Sequence, residues 1–505
     1  MKKTDKIITG RLSYRNVDFL FVFDGEDLHL IPPKEIKSEW IMTSLGMGIS
    51  ARSEQLKMES PYLVGSCNEN GYKYVFFTEQ GDFIKNKNIL LIVKIIGYLE
   101  CRIKHEAICR MSFFSPEINC IYPVSQGGKY DFESKNEKSF REGIVTFKTI
   151  DFESTKTEKR MFEVDKELVS VYFGVATNIS LMVNESPISL NSFMSFEFNP
   201  TLNYELIIRL WTIAKAFISF LCYRNNVTYP IVKVTGICED GKILNVGELH
   251  IIGEKQENEL KTLKQRRYIE QLYINGSEGL ILTDLAKNIL YTRHIPDSYS
   301  IGKCIDASRF IMITAAFEWE FRRQYPQGIP KTQATENAEN EAENEIQKLI
   351  DKSAGKLKKK YQFLRKLIKG DTLQNEVIKI GKDYDNIIGS LGRYLYGINN
   401  EQLLYNKMGE RIANQRNNFA HGNLDKEFIG ISLLDLMYME YIIYAMQLKK
   451  YGVTDNNIRK AINDLFHLKL ALDNSTDCQD KNQKLLPTTY IGATLVLDTG
   501  KTNSV

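Results

Sequence analysis

Leu404–Gly422 reads LYNKMGERIANQRNNFAHG. Leu404, Met408, Ile412 and Phe419 fall on one stripe of a helix turning about 100° per residue, so an amphipathic helix is predicted here. The opposite side carries Glu410, Asn414, Asn417 and His421. Asn417 and His421 form an i,i+4 pair and are neighbours on that surface. Arg416 lies between the apolar stripe and His421, about 140° round the axis from the histidine. Gly422 is suited to end the helix, which puts His421 in its last turn or at its cap.

These residue types suit work on a phosphodiester. Histidine moves a proton near neutral pH, and arginine keeps a permanent charge in a fork that fits phosphate. Asn417 can hydrogen-bond one imidazole nitrogen and leave the other free. The set faces away from its own core, so catalysis there needs a cover, most simply a second copy of the same surface. A solvated helix face with a glycine stop would give the same spacing.

The flanking sequence is helical on both sides. Asp306–Tyr325 (DASRFIMITAAFEWEFRRQY) places Phe310, Ile313, Phe317 and Phe321 on one face. Ile431–Tyr451 (ISLLDLMYMEYIIYAMQLKKY) is a long apolar helix, and Ile458–Leu468 closes the series. Arg416-Asn417-Asn418-Phe419-Ala420-His421-Gly422, in this setting, resembles the Arg-x4-6-His motif of the HEPN superfamily, small helical domains that are often RNases. The resemblance covers roughly residues 300–470. The β-rich region before it, with GRLSYRNVDFLFVFDGEDLHLIPP at Gly10–Pro33, resembles the ApeA type of bacterial anti-phage HEPN protein.

The resemblance implies a metal-independent endoribonuclease of abortive-infection defence, a toxin to its own cell, with no cofactor and no metal site. It implies transesterification: a base takes the ribose 2′-OH proton, that oxygen attacks phosphorus, and the 5′-oxygen leaves protonated. His421 is the expected base or acid. Arg416 would neutralise charge on the phosphoryl oxygens, and Asn417 would fix the imidazole or touch phosphate. An acid on the first helix is expected to assist: Glu318, with Glu320 close by. One motif supplies one histidine, so a homodimer through the HEPN domain is implied, both motifs lining one cleft. The expected partners are an RNA substrate (tRNA, mRNA or ribosomal RNA) and a phage-derived trigger acting on the N-terminal region. The alternative is a non-catalytic HEPN module that binds RNA or protein and dimerises.

Composition is compatible with this. A chain of 505 residues is too long for one ordinary core. Net charge is only +3, so any nucleic-acid surface must be local. The eight cysteines include no C-x2-C pair, and the simple account is reduced thiols in a cytoplasm. Met1–Lys6 is basic, but the apolar stretch of a signal peptide does not follow. The apolar window Ile207–Tyr223 is striped by Arg209, Thr212, Lys215 and Ser219, which makes it a packed helix. His29, His105, His250, His294 and His467 stand apart from one another and read as structural. No phosphate-cradling glycine loop or serine-nucleophile elbow occurs.

The fold class expected is α+β, a β-rich N-terminal region followed by an all-α bundle. Strands are predicted at Val17–Phe23 and Asp27–Ile31 around the turn pair Asp24-Gly25, and at Tyr72–Phe77, Ile89–Ile96, Ile144–Phe152 and Leu168–Phe173. A helix at 203–223 and a hairpin at Ile231–Ile237 and Ile243–Ile251 follow, then helices at Glu257–Tyr273 and Leu280–Tyr291. His294-Ile295-Pro296 marks a boundary. The domains are thus 1–292, a sensor-like region, then 300–470, then a polar tail at 471–505.

One insertion interrupts the helical part. Thr335–Glu345 (TENAENEAENE) is acidic and of low complexity, expected as a mobile loop or solvated helix end. Lys356–Lys369 (KLKKKYQFLRKLIK) is basic and amphipathic. Lys358, Lys359, Lys360 and Arg365 are its candidates for gripping an RNA backbone, against a plain charged helix face.

Overall fold

The computed structural model describes residues 7–33, 58–79, 85–87, 90–134, 143–180, 182, 188–228, 230–253, 259–368, 371–422, 428 and 430–472. Ile89, Lys369 and the tail from 473 onward lie outside the described residues. The fold class is α+β, and the chain divides into two compact units. The first is Met1–Lys264 with Glu270–Leu272 and Gly276–Ile289; the second is Gln265–Ile269, Tyr273–Asn275 and Leu290–Val505.

The first unit is built on a 14-stranded antiparallel sheet. From one edge it runs Arg160–Val164, Glu167–Ile179, Ile188–Thr201, Ala107–Phe114, Ile231–Ile237, Ile243–Ile251 and Gly97–Cys101. It continues through Lys73–Phe77, Tyr62–Cys67, Ile8–Tyr14, Val17–Phe23, Asp27–Ile31, Leu90–Lys94 and Lys85–Lys87. Alternation drives it: Val17, Phe19, Phe21 and Phe23 are buried, while Asp18 and Leu20 are exposed. Asp24 closes the next turn, its Oδ1 accepting from the N–H groups of Glu26 and Asp27, with Gly25 at φ 100°.

Helices α1 (Pro116–Ile121), α2 (Tyr204–Cys222), α3 (Leu260–Lys264) and α4 (Glu278–Ala286) belong to this unit. Asn203 caps α2 by accepting from the N–H groups of Glu205 and Leu206. Of the helix expected over Glu257–Tyr273, Glu257 and Asn258 lie outside the described residues, and the rest is not formed as one piece. After α3, Arg266 enters the left-handed region at φ 57°, and Gln271–Tyr273 makes only a 3-10 turn. The next helix ends earlier than expected for the same reason, with Asn288 at φ 53°.

The second unit is helical. Its helices are α5 (Tyr299–Gly302), α6 (Ala307–Gln324), α7 (Gln333–Asp351), α8 (Gly355–Ile368), α9 (Leu373–Asp383), α10 (Asp385–Ile398), α11 (Tyr405–Ala420), α12 (Ser432–Lys450) and α13 (Asp455–Leu465). α12 is buried nearly all round and forms the centre of the bundle. Four polar ties fix its neighbours. Arg309 of α6 donates to Glu440 at 2.7 Å, and Gln447 donates to Glu320 of α6 at 3.1 Å. Arg411 of α11 meets buried Asp435 in a two-pronged pair at 2.6 and 2.7 Å, and Tyr396 of α10 donates to the same carboxylate.

The acidic segment Thr335–Glu345 is the solvated first part of helix α7, which meets the helix-end expectation and not the loop. Thr332 caps it by accepting from the Thr335 N–H, and good helix formers fill it. Among the described residues, no helix is long and apolar enough to cross a membrane.

Candidate active site

The motif helix α11 is held close to α9 by missing side chains. A Cβ at Gly409 would lie 2.7 Å from the Gln374 carbonyl oxygen, and one at Gly381 would run into the Tyr405 ring. Met408 and Ile412 are fully buried, as the stripe requires. Leu404 is not part of that stripe: it precedes the helix in extended backbone and is 48% exposed. The helix starts at the half-buried Tyr405, whose hydroxyl donates to Asp385. Phe419, near the other end, packs edge-on against Phe310 of α6 at 5.6 Å and Phe428 at 5.1 Å.

That packing aligns α6 with the polar side of α11. Arg416 Nη2 stands 3.7 Å from Glu318 Oε1, with both side chains partly exposed. His421 is the C-cap, exposed, its N–H donating to the Asn417 carbonyl at 3.1 Å. Gly422 follows at φ 73° and ends the helix. Asn417 is exposed one turn before His421, and among the described residues the two are joined by this backbone hydrogen bond and by no side-chain one.

The two acids of the first helix are placed differently. Glu318 faces Arg416. Glu320 is buried, accepts from Gln447 and the Tyr291 N–H, and pairs with Arg323 at 2.7 Å. Burial pushes the Glu320 carboxyl above its usual range, against those partners.

A further acid was not legible in sequence. Glu376 of α9 is buried, and its Oε2 has no hydrogen-bond partner among the described residues. Its carboxyl is pushed up to about 7, first by burial, then by the charge of Glu318; Arg322 opposes this and Asp371 adds to it. Glu376 is therefore a buried carboxyl within reach of the Glu318 charge, pushed up toward neutral pH.

The basic candidates stand elsewhere in the unit. Lys358, Lys359, Lys360 and Arg365 are exposed on α8, which packs against α7, and Arg365 donates to Gln347. Among the described residues no hydrogen bond or ion pair joins these four to Arg416, Asn417 or His421. No group of three His, Cys, Asp or Glu side chains is placed to hold a metal ion among the described residues.

The chain matches no protein-family model, no curated protein and no solved structure. The chemistry of the site therefore rests on its own residues: a fixed positive fork, an imidazole open to solvent, a carboxylate facing the fork and a second, buried carboxyl that feels its charge.

Proposed function

We propose that this chain is a HEPN-type endoribonuclease of anti-phage defence, of the ApeA kind, acting in the cytoplasm without a metal. The observation that carries the reading is the Arg416–Glu318 pair, 3.7 Å apart across two helices, with His421 capping the helix that holds Arg416. Glu318 steadies a guanidinium that stays open enough to reach phosphate. His421 lies at the helix end, where a strand of RNA can approach.

The reaction moves one proton off and one proton on. A base removes the 2′-OH proton, the O2′–P bond forms, the P–O5′ bond breaks, and an acid protonates O5′. The products are a 2′,3′-cyclic phosphate and a 5′-hydroxyl. His421 serves one of the two transfers, and His421 of a second copy serves the other across a shared cleft. Arg416 neutralises the growing charge on the phosphoryl oxygens, worth about 3 kcal/mol in a dry site. Asn417 orients imidazole or phosphate. The β-rich unit carries the response to a phage-derived trigger.

The test compares the full-length chain with His421→Ala and Arg416→Ala on total cellular RNA. Cleavage by the parent and loss in both variants, with unchanged unfolding, supports the reading. RNA retained but uncut by all three proteins would point to the binding-module alternative.

A further inference from the structure

Helices α7 and α8 form a hairpin joined by Lys352–Ala354. It is an unusual surface on two counts. Of the residues in α7, only Ile350 is buried, while Leu349, Leu357, Phe363 and Leu364 are 43%, 53%, 61% and 45% exposed. Isolated exposed leucines need no explanation, but this is a concentration of large apolar side chains within sixteen residues. Leu357 and Leu364 lie seven residues apart, on one stripe of α8, and Ile346 and Leu349 lie three apart on α7. Each helix is therefore amphipathic, and the hairpin leaves both apolar stripes half covered.

The second count is charge. α7 carries six acidic residues and one lysine, and α8 carries six basic residues and no acid. The hairpin is thus a two-sided object, acidic on one helix and basic on the other. Two such hairpins related by a two-fold axis can place each α7 beside the α8 of the other. Every adjacent pair around the resulting square is then acidic against basic, and like charges fall on the diagonals. A purely polyanionic partner would satisfy α8 and be repelled by α7, and would leave the leucines in water.

We infer that the α7–α8 hairpin is a self-docking surface whose occupant is the same hairpin of a second copy, the two closing into a four-helix bundle. The inference does not depend on the nuclease reading. It assigns the basic helix to assembly in place of RNA grip, and it uses apolar residues that no catalytic role accounts for.

The experiment measures the mass of the full-length chain at tens of micromolar by light scattering. Leu349→Gln, Leu357→Gln and Leu364→Gln together are expected to halve the mass at unchanged helicity and unfolding midpoint, because all three side chains are already exposed. Two charge variants test the pairing itself. One carries Glu336→Lys, Glu341→Lys and Glu345→Lys; the other carries Lys358→Glu, Lys359→Glu and Lys360→Glu. Each alone should lose self-association at the hairpin, and an equimolar mixture should recover it as a mixed species. A parent that is monomeric, a leucine variant of unchanged mass, or charge variants that fail to combine would each overturn the proposal. So would loss of RNA retention in the Lys→Glu variant while its mass stays that of the parent, which would assign α8 to RNA.

Discussion

Glu318 of α6 and Arg416 of α11 face each other at 3.7 Å, while Glu320, two residues along, turns inward to Gln447 and Arg323. Two residues rotate a helix by about 200°, so the two acids serve opposite sides of one helix. Exchanging Glu318 for Gln is expected to lower RNA cleavage at least tenfold while moving stability by no more than about 1 kcal/mol, as for other partly exposed pairs. Glu320→Ala should instead cost about 2–3 kcal/mol, by removing the buried carboxylate that the Gln447 amide, the Tyr291 N–H and the Arg323 guanidinium share. Urea unfolding beside a cleavage assay separates the two; equal loss of stability in both would contradict the assignment.

Glu376 gives a pH signature. Its folded carboxyl titrates near 7, against an ordinary value of 4.5. Below that ordinary value both states hold the proton and nothing is gained or lost. Between the two values the unfolded chain releases a proton that the folded chain keeps, so stability falls as pH rises, and above about 7 the loss is complete. Glu376→Gln should remove this dependence and stabilise the protein by roughly 1–2 kcal/mol at pH 8, a figure discounted for partial solvent screening. Unfolding midpoints of parent and variant at pH 4.5 and pH 8 are the check; a constant difference would count against it.

Asp435 joins three helices through Arg411 and Tyr396, and it is fully buried. Asp435→Ala strands the Arg411 charge beside the bundle core and is expected to cost about 3–5 kcal/mol. A thermal unfolding scan measures it. Little change would mean that Arg411 swings out to water.

If two copies share one cleft, a mixture of parent and His421→Ala chains should show less activity per parent chain than the parent alone. Mixed dimers would hold one histidine where the reaction needs two proton carriers. Activity in strict proportion to parent chain would argue for a site complete in one copy.

The fold was legible where periodicity is strong. Val17–Phe23, Asp27–Ile31, Ile231–Ile237 and Ile243–Ile251 have the boundaries that alternation predicts, and α6 runs between its expected ends, Asp306 and Tyr325 acting as caps. Pattern misled where the backbone, not the side chains, decides: Arg266 and Asn288 end helices by turning left-handed, and Leu404 has the right spacing but precedes the first turn. Thr335–Glu345 has a composition that fits a loop as well as a solvated helix end; the Thr332 cap decides for the helix end, and composition alone does not reveal it. In the candidate site, Arg416 and the cap position of His421 follow from spacing and Gly422. The choice between Glu318 and Glu320 does not, since it depends on which neighbour each face of α6 meets. Glu376 carries no local signal at all; its environment arises only when α9 is brought beside α6 and α11.

The most direct test of the central claim is the chemistry of the cut ends. Purified full-length chain, its His421→Ala variant and RNA are incubated in excess EDTA, and the termini are mapped by ligation-dependent sequencing. The account predicts cleavage that persists in EDTA, leaves 2′,3′-cyclic phosphate and 5′-hydroxyl ends, and disappears in His421→Ala. Cleavage that requires Mg²⁺ and leaves 3′-hydroxyl ends, or that survives in His421→Ala, would contradict it.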